Sequence, residues 1–197
     1  MKSKLFQKNT SENVRIEIIQ SPFGDDGIEI IGEPSRFYNN YILNIPEKIL
    51  SVQKTLGIEE CIWFGARKIT DKEYILEDFY IPKKQEIGSV TGKISAEENC
   101  KTLKYFDHSG LRAMMLGHKH PTDYISPSNL DIKEMESRPG IIFSIISEYN
   151  DKIGFYCLKE TWRGEKQNIS VELPSSAKLI ERDRNSSIFG LYEIYQI

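Results

Sequence analysis

Two of the chain's three histidines stand two residues apart, His118 and His120 in the segment GHKHP, directly after the apolar run LRAMML. On a strand, residues i and i+2 project from the same face, so both imidazoles can converge on one ion while Lys119 points away; on a helix the pair would diverge. Helical zinc motifs space their histidines four apart for that reason. Asp131 follows in HPTDYISPSNLD, with Ser128 three residues ahead of it. Two histidines and a carboxylate form a ligand set for catalytic zinc, which keeps its fourth position open for water. The loop TDYISPSN, with Pro127, can return the chain so that Asp131, in the first turn of the next helix, meets the imidazoles. Zinc lowers the pKa of its water to about 7, but a nearby base must still take the proton. Glu134 and Glu136 lie on the helix after Asp131, so the base has to come from elsewhere. The pair Glu59 and Glu60, at the mouth of the strand ECIWF, meets that need.

Several elements must position these residues. PEKILSVQKTLG predicts an amphipathic helix, with Pro46 in its first turn, apolar Ile49, Leu50, Val52 and Leu56, and Gly57 as a stop. ECIWFGARK and YILEDFYIP, separated by TDKE, predict two adjacent antiparallel strands. KKQEIGSVTGKI reads as a polar loop. SAEENCKTLKYFDHSG predicts a second helix, opened by a Ser95–Glu98 capping box and packed through Cys100, Leu103 and Phe106. LRAMMLGHKH reads as a buried strand reaching the rim of a sheet. DIKEMES is a short helix, GIIFSIIS, KIGFYCLK and ISVEL are strands, and the apolar tail SSIFGLYEIYQI docks on the body. Ahead of all these, VRIEII and IEII around SPFGDDG form a hairpin with its turn at Gly24 to Gly27. The class is mixed α and β. Three parts are expected: an N-terminal extension over residues 1–44, a catalytic core over 45–163, and a C-terminal strand and tail over 164–197 packed on that core.

Composition narrows the partners. At 197 residues with 39% hydrophobic content, the chain can bury a full core without disulfide staples. Its 26 basic residues against 29 acidic ones give a net charge of -3, which lacks the electrostatic footprint of a general nucleic-acid binder. No apolar run reaches the roughly 18–20 residues that span a bilayer, and the start lacks a signal-peptide pattern, so a soluble, cytoplasmic protein is expected. Cys61, Cys100 and Cys157 form no CxxC pair and read as small buried hydrophobes.

His118-x-His120, seven residues, Ser128, two residues and Asp131, with an upstream acidic residue at a helix-to-strand junction, resembles the JAMM (MPN-plus, JAB domain) zinc metalloprotease motif. The stretch Gly57–Gly65, GIEECIWFG, is similar to the family segment in which the catalytic Glu lies two residues before a Cys or small apolar residue. That registration selects Glu59; Ile62 stands where the family usually has Gly, and Glu60 is the alternative. The resemblance spans roughly residues 45–159. It implies a JAB/MPN-like (cytidine-deaminase-like) curved central sheet flanked by helices, here with an N-terminal β extension. It implies one zinc per chain, held by His118, His120 and Asp131. Glu59 would be the proton acceptor, and Ser128 would donate to the oxyanion, a contribution of ~3 kcal/mol per donor in such sites. The implied reaction cleaves the isopeptide or peptide bond after the C-terminal glycine of ubiquitin or a ubiquitin-like protein. The implied partners are that tag, its conjugates and the proteins of a conjugation system, with neither nucleic acid nor membrane. By the same resemblance, the loop from Lys83 to Lys93 and the segment Glu136 to Gly140 lie where the family places insertions that grip the tag.

Three other classes compete. An MPN-like domain without catalysis would serve as a scaffold, though the intact ligand set argues for the enzyme. A zinc deaminase would need a P-C-x-x-C element, which is missing. A thiol protease built on Cys61 or Cys157 with His108 has no local signature here. Lys119 reads as a solvated strand residue, and Trp63, Met114 and Met115 as core.

Overall fold

The computed structural model describes residues 40–197, apart from 89–91 and 163, together with two strands nearer the N-terminus. Those strands, β1 (Arg15–Gln20) and β2 (Asp26–Ile31), pair antiparallel, with Arg15 opposite Ile31 and Gln20 opposite Asp26. They belong to a compact unit of residues 1–37; the expected turn from Gly24 falls largely outside the described residues.

The second unit, residues 38–197, is built on one sheet. Its elements run β3 (Asn40–Asn44), α1 (Glu47–Lys54), β4 (Cys61–Lys68), β5 (Glu73–Tyr80), β6 (Gln85–Ile87), β7 (Gly92–Ile94), α2 (Ala96–His108), β8 (Arg112–His120) and α3 (Asn129–Ser137). They continue with β9 (Ile142–Ser147), β10 (Lys152–Leu158), β11 (Asn168–Glu172), β12 (Lys178–Arg182) and β13 (Phe189–Gln196). Nine strands form the curled sheet in the order β11-β3-β5-β4-β8-β9-β10-β13-β12. The fold is mixed α/β and strand-dominated. Residues 40–44, grouped by the sequence with the extension, pair with β5 on one side and β11 on the other and so belong to this sheet.

Strand alternation divides the interior into two clusters. Ile62, Phe64, Met115, Ile142, Phe155 and Cys157 join Ile49 and Leu50 of α1 in one; Trp63, Leu116, Phe143, Ile145 and Tyr156 join Phe106 of α2 and Met135 of α3 in the other. Trp63, Met114 and Met115 are core as expected. The apolar tail becomes β13, paired antiparallel with β10.

Three local readings change. KKQEIGSVTGKI carries the hairpin β6–β7 rather than a plain loop, because the Gln85 side chain docks on the start of β4. Helix α2 buries Glu98, Thr102 and Phe106 while Leu103 is exposed. Glu98 drives that phase: its carboxylate accepts hydrogen bonds from the Lys83 amide and the Lys101 ammonium instead of reaching back to Ser95. Ser95 still caps, accepting the Glu98 amide. Edge strand β12 was not legible, since all five of its residues are exposed and carry no alternation. Among the described residues, no helix is long and apolar enough to cross a membrane.

Candidate metal centre

Topology brings the candidate residues to one end of the sheet. β8 and β9 are parallel neighbours, and a parallel pair needs a crossover, which α3 supplies. The start of α3 therefore returns to the carboxyl end of β8. β4 runs antiparallel to β8, with Cys61 opposite His118, so Glu59, just ahead of β4, reaches the same end. Residues separated widely in sequence meet there because strand directions require it.

His118 and His120 share a face of β8, their ring centroids 4.8 Å apart. His118 Nε2 lies 3.3 Å from Asp131 Oδ1, and His120 Nε2 lies 3.5 Å from Asp131 Oδ2. Two ligand atoms held about 2.0–2.1 Å from one tetrahedral zinc stand roughly 3.4 Å apart, close to each of these spacings, although the two histidines face different oxygens of the carboxylate. One ligand atom from each of the three residues lies within 4.8 Å of the others, and this group could hold a metal ion. His120 Nδ1 donates to the Tyr124 carbonyl at 2.9 Å, which orients the ring so that Nε2 faces Asp131. A metal-ligating histidine is oriented in this way.

Asp131 does two jobs. As the third residue of α3 it completes a capping box: Asp131 Oδ2 accepts the Ser128 amide at 2.7 Å, and Ser128 Oγ accepts the Asp131 amide at 3.2 Å. The local cap fixes the carboxylate, and the fixed carboxylate faces the imidazoles. Burial opposes its charge, but hydrogen bonds from both histidines and Ser128 outweigh burial and hold the carboxyl well below the usual range. His120 titrates above its ordinary value, since the Asp131 and Tyr124 hydrogen bonds overcome the opposing effect of burial.

Glu59 and Glu60 separate cleanly. Glu59 is 4% exposed, lines the cleft, and has its carboxyl raised, chiefly by burial and secondarily by Asp131, against the lowering pull of the two histidines. Glu60 folds back instead, its carboxylate accepting the Gly57 amide at 2.8 Å. Glu59 sits in the left-handed backbone region at φ 59°, and its N–H donates to the Lys119 carbonyl at 2.8 Å.

The cleft encloses about 750 Å³ and is lined by Glu59, His118, His120, Ser128 and Asp131 together. Glu59, and not the alternative Glu60, thus shares one cleft with the other four residues named from the sequence. Ser128 is exposed to the cleft, its oxygen taken by the Asp131 amide and its proton left to donate. The cleft walls also include Glu86, Gly92 and Lys93 from the loop Lys83 to Lys93 and Arg138 from the segment Glu136 to Gly140, the two stretches the resemblance pointed to without giving any one residue a role. The signal for the first three was present in two short runs, QEI and GKI, around a Gly-containing connection. Arg138 stacks over Trp63 at 5.8 Å and pairs with Glu134, an arrangement set by tertiary packing. Neither buried thiol is activated: burial pushes both Cys61 and Cys157 up to about 12.

Lys119 differs from its sequence reading. It points away from the histidines as strand alternation requires, but it is buried at 9% exposure and not solvated. Its ammonium donates to the Lys54 carbonyl at 2.9 Å and pairs with Glu148 at 3.0 Å.

No family model matches the chain, and no curated protein matches it. Among solved structures it is similar to a protein from Desulfitobacterium hafniense, at 18% identity and TM-score 0.51, covering 67% of this chain and 94% of that one. It is also similar to a protein from Salinibacter ruber, at 16% identity and TM-score 0.47, covering 67% and 93%. At that identity the likeness to the Desulfitobacterium protein shows a shared fold.

Proposed function

We propose that this chain is a zinc-dependent hydrolase of the JAMM (MPN-plus) type, cleaving the peptide or isopeptide bond after the C-terminal glycine of ubiquitin or a ubiquitin-like protein. The observation that carries the reading is the convergence of His118, His120 and Asp131 in a cleft that also holds Glu59 and Ser128. The finer fold assignment, a JAB/MPN-like sheet flanked by helices with a β extension ahead of it, belongs to the same proposal. It is supported by the order α1, β4, β5, α2, β8, α3, β9, β10 and by the place of Glu59 just ahead of β4.

His118, His120 and Asp131 would hold the ion, one zinc per chain. When bound, zinc supplies a Lewis acid that acidifies water and polarises a carbonyl oxygen. Glu59 accepts the proton of the attacking water at its carboxylate and delivers it to the nitrogen of the leaving amine. Its raised pKa suits both halves of that task, since a carboxylate too acidic would not return the proton. Ser128 Oγ, fixed by the Asp131 amide, donates its proton to the developing oxyanion. The tag, its conjugates and the proteins that attach it are the partners, in a cytoplasmic setting without nucleic acid or membrane.

The test offers zinc-loaded protein a panel of ubiquitin-like conjugates. Release of the tag that stops with chelator, and in Glu59→Gln, is the expected result. Stable zinc binding with no cleavage of any conjugate would favour a binding module in its place.

A further inference from the structure

Lys119 occupies an unusual position: a buried cation between the two histidines, projecting to the reverse face of the sheet. An ammonium removed from water is tolerated only with partners, and Lys119 has two, the Lys54 carbonyl in the last turn of α1 and the Glu148 carboxylate. Lys54 ends a helix whose final carbonyls lack intrahelical donors, so the contact also caps α1. Glu148 is tied back to the same strand, its N–H donating to the His120 carbonyl at 3.2 Å. On its main chain, Lys119 accepts the Glu59 N–H at 2.8 Å. Glu59 takes its left-handed conformation, which a glutamate seldom adopts, in the turn closed by the Glu60 N–H on the Gly57 carbonyl at 3.1 Å, and the bond to Lys119 ties that turn to β8 beside the cleft that Glu59 lines.

We propose that Lys119 is a positioning residue: by anchoring its ammonium behind the sheet to α1 and Glu148, it fixes the peptide that holds Glu59 against the histidines. The inference rests on the hydrolase reading for its catalytic consequence and on the geometry alone for the anchoring. Small displacements of a reacting group cost large factors in rate, so the clamp acts on turnover more than on substrate binding.

The experiment compares Lys119→Met, which keeps the stem and removes the charge, with Lys119→Arg and Glu148→Gln. In metal-free protein, exchange of the Glu59 amide hydrogen is read by NMR. Lys119→Met is expected to speed it by at least about tenfold while amides in the centre of β4 keep their protection. At saturating zinc, kcat on a cleaved conjugate is expected to fall by about tenfold to a hundredfold with KM unchanged. Lys119→Arg should restore most of both effects, and Glu148→Gln, the milder change, should reproduce them in part if Lys119→Met fails to fold. Unchanged Glu59 exchange in Lys119→Met and Glu148→Gln overturns the clamp, as does an arginine variant as impaired as the methionine one. If exchange responds as expected but wild-type protein cleaves no conjugate, the anchoring stands and the hydrolase reading is the part that fails.

Discussion

Two non-glycine residues of the described chain occupy the left-handed backbone region, Glu59 at φ 59° and Asp151 at φ 47°. Asp151 is exposed in the turn between β9 and β10, following Asn150, and aspartate is among the residues that visit this region with least penalty. Its carbonyl accepts the Ile197 amide at 2.9 Å, an ordinary turn contact. Glu59 is buried, takes its left-handed conformation at the third position of the turn closed by the Glu60 N–H donating to the Gly57 carbonyl at 3.1 Å, and has its own N–H held by a carbonyl sixty positions along the chain. Both are turn residues; what differs is that a long-range bond to β8 ties down the turn at Glu59, whose residue lines the cleft.

The largest effect expected from breaking this contrast is on turnover. Glu59→Gln should lower kcat by about 10²–10⁴ with zinc retained, while Asp151→Asn stays within about twofold of wild type; steady-state kinetics with metal analysis checks both. Gly92→Ala comes next. A Cβ there would stand 2.1 Å from the Glu59 carbonyl oxygen and 2.9 Å from Cys61 Sγ, so hairpin β6–β7 must move away from the cleft. Denaturant unfolding should show a loss of about 1–3 kcal/mol, with a matching fall in kcat.

Glycine at the two strained positions sharpens the comparison. Glu59→Gly relieves strain and removes a buried carboxylate, so unfolding experiments should find it more stable by about 1–2 kcal/mol and inactive. Asp151→Gly should change stability by less than about 0.5 kcal/mol with activity intact, because relief there is offset by the added freedom of the unfolded chain.

The smallest effect is a pH slope. His120 titrates higher when folded, so its contribution to the metal-free protein is complete below its unfolded pKa and is lost as pH rises through the folded one. Glu59, also raised, adds a slope of the same sign at lower pH. The contribution of Asp131, whose carboxyl is depressed, is lost only in acid and stays constant near neutrality. Thermal melts of metal-free protein should therefore decline from about pH 6 to about pH 8. The stabilisation added by zinc should grow over the same interval, since its ligands must be deprotonated.

The ligand set was legible because it is written in local rules. Strand alternation puts His118 and His120 on one face, and a capping box puts Asp131 in the first turn of α3. The choice of Glu59 over Glu60 followed from resemblance; the geometry that separates them depends on the pairing of β4 with β8. Lys119, read as solvated, is buried because α1 and Glu148 cover the reverse face, which no window of sequence around it reveals. The hairpin β6–β7 was hidden by strands of three residues each, fixed by the Gln85 side chain. Arg138 and the Tyr124 carbonyl act through position alone, and residue type gives no hint of either.

The central claim, that His118, His120 and Asp131 close on a single ion, is tested most directly by zinc titration with metal analysis of purified wild type beside His118→Ala and Asp131→Ala. One zinc per chain, with affinity reduced by at least about 100-fold in each variant, is the predicted result. Absence of zinc binding in folded wild type, or the same affinity in all three proteins, would contradict it.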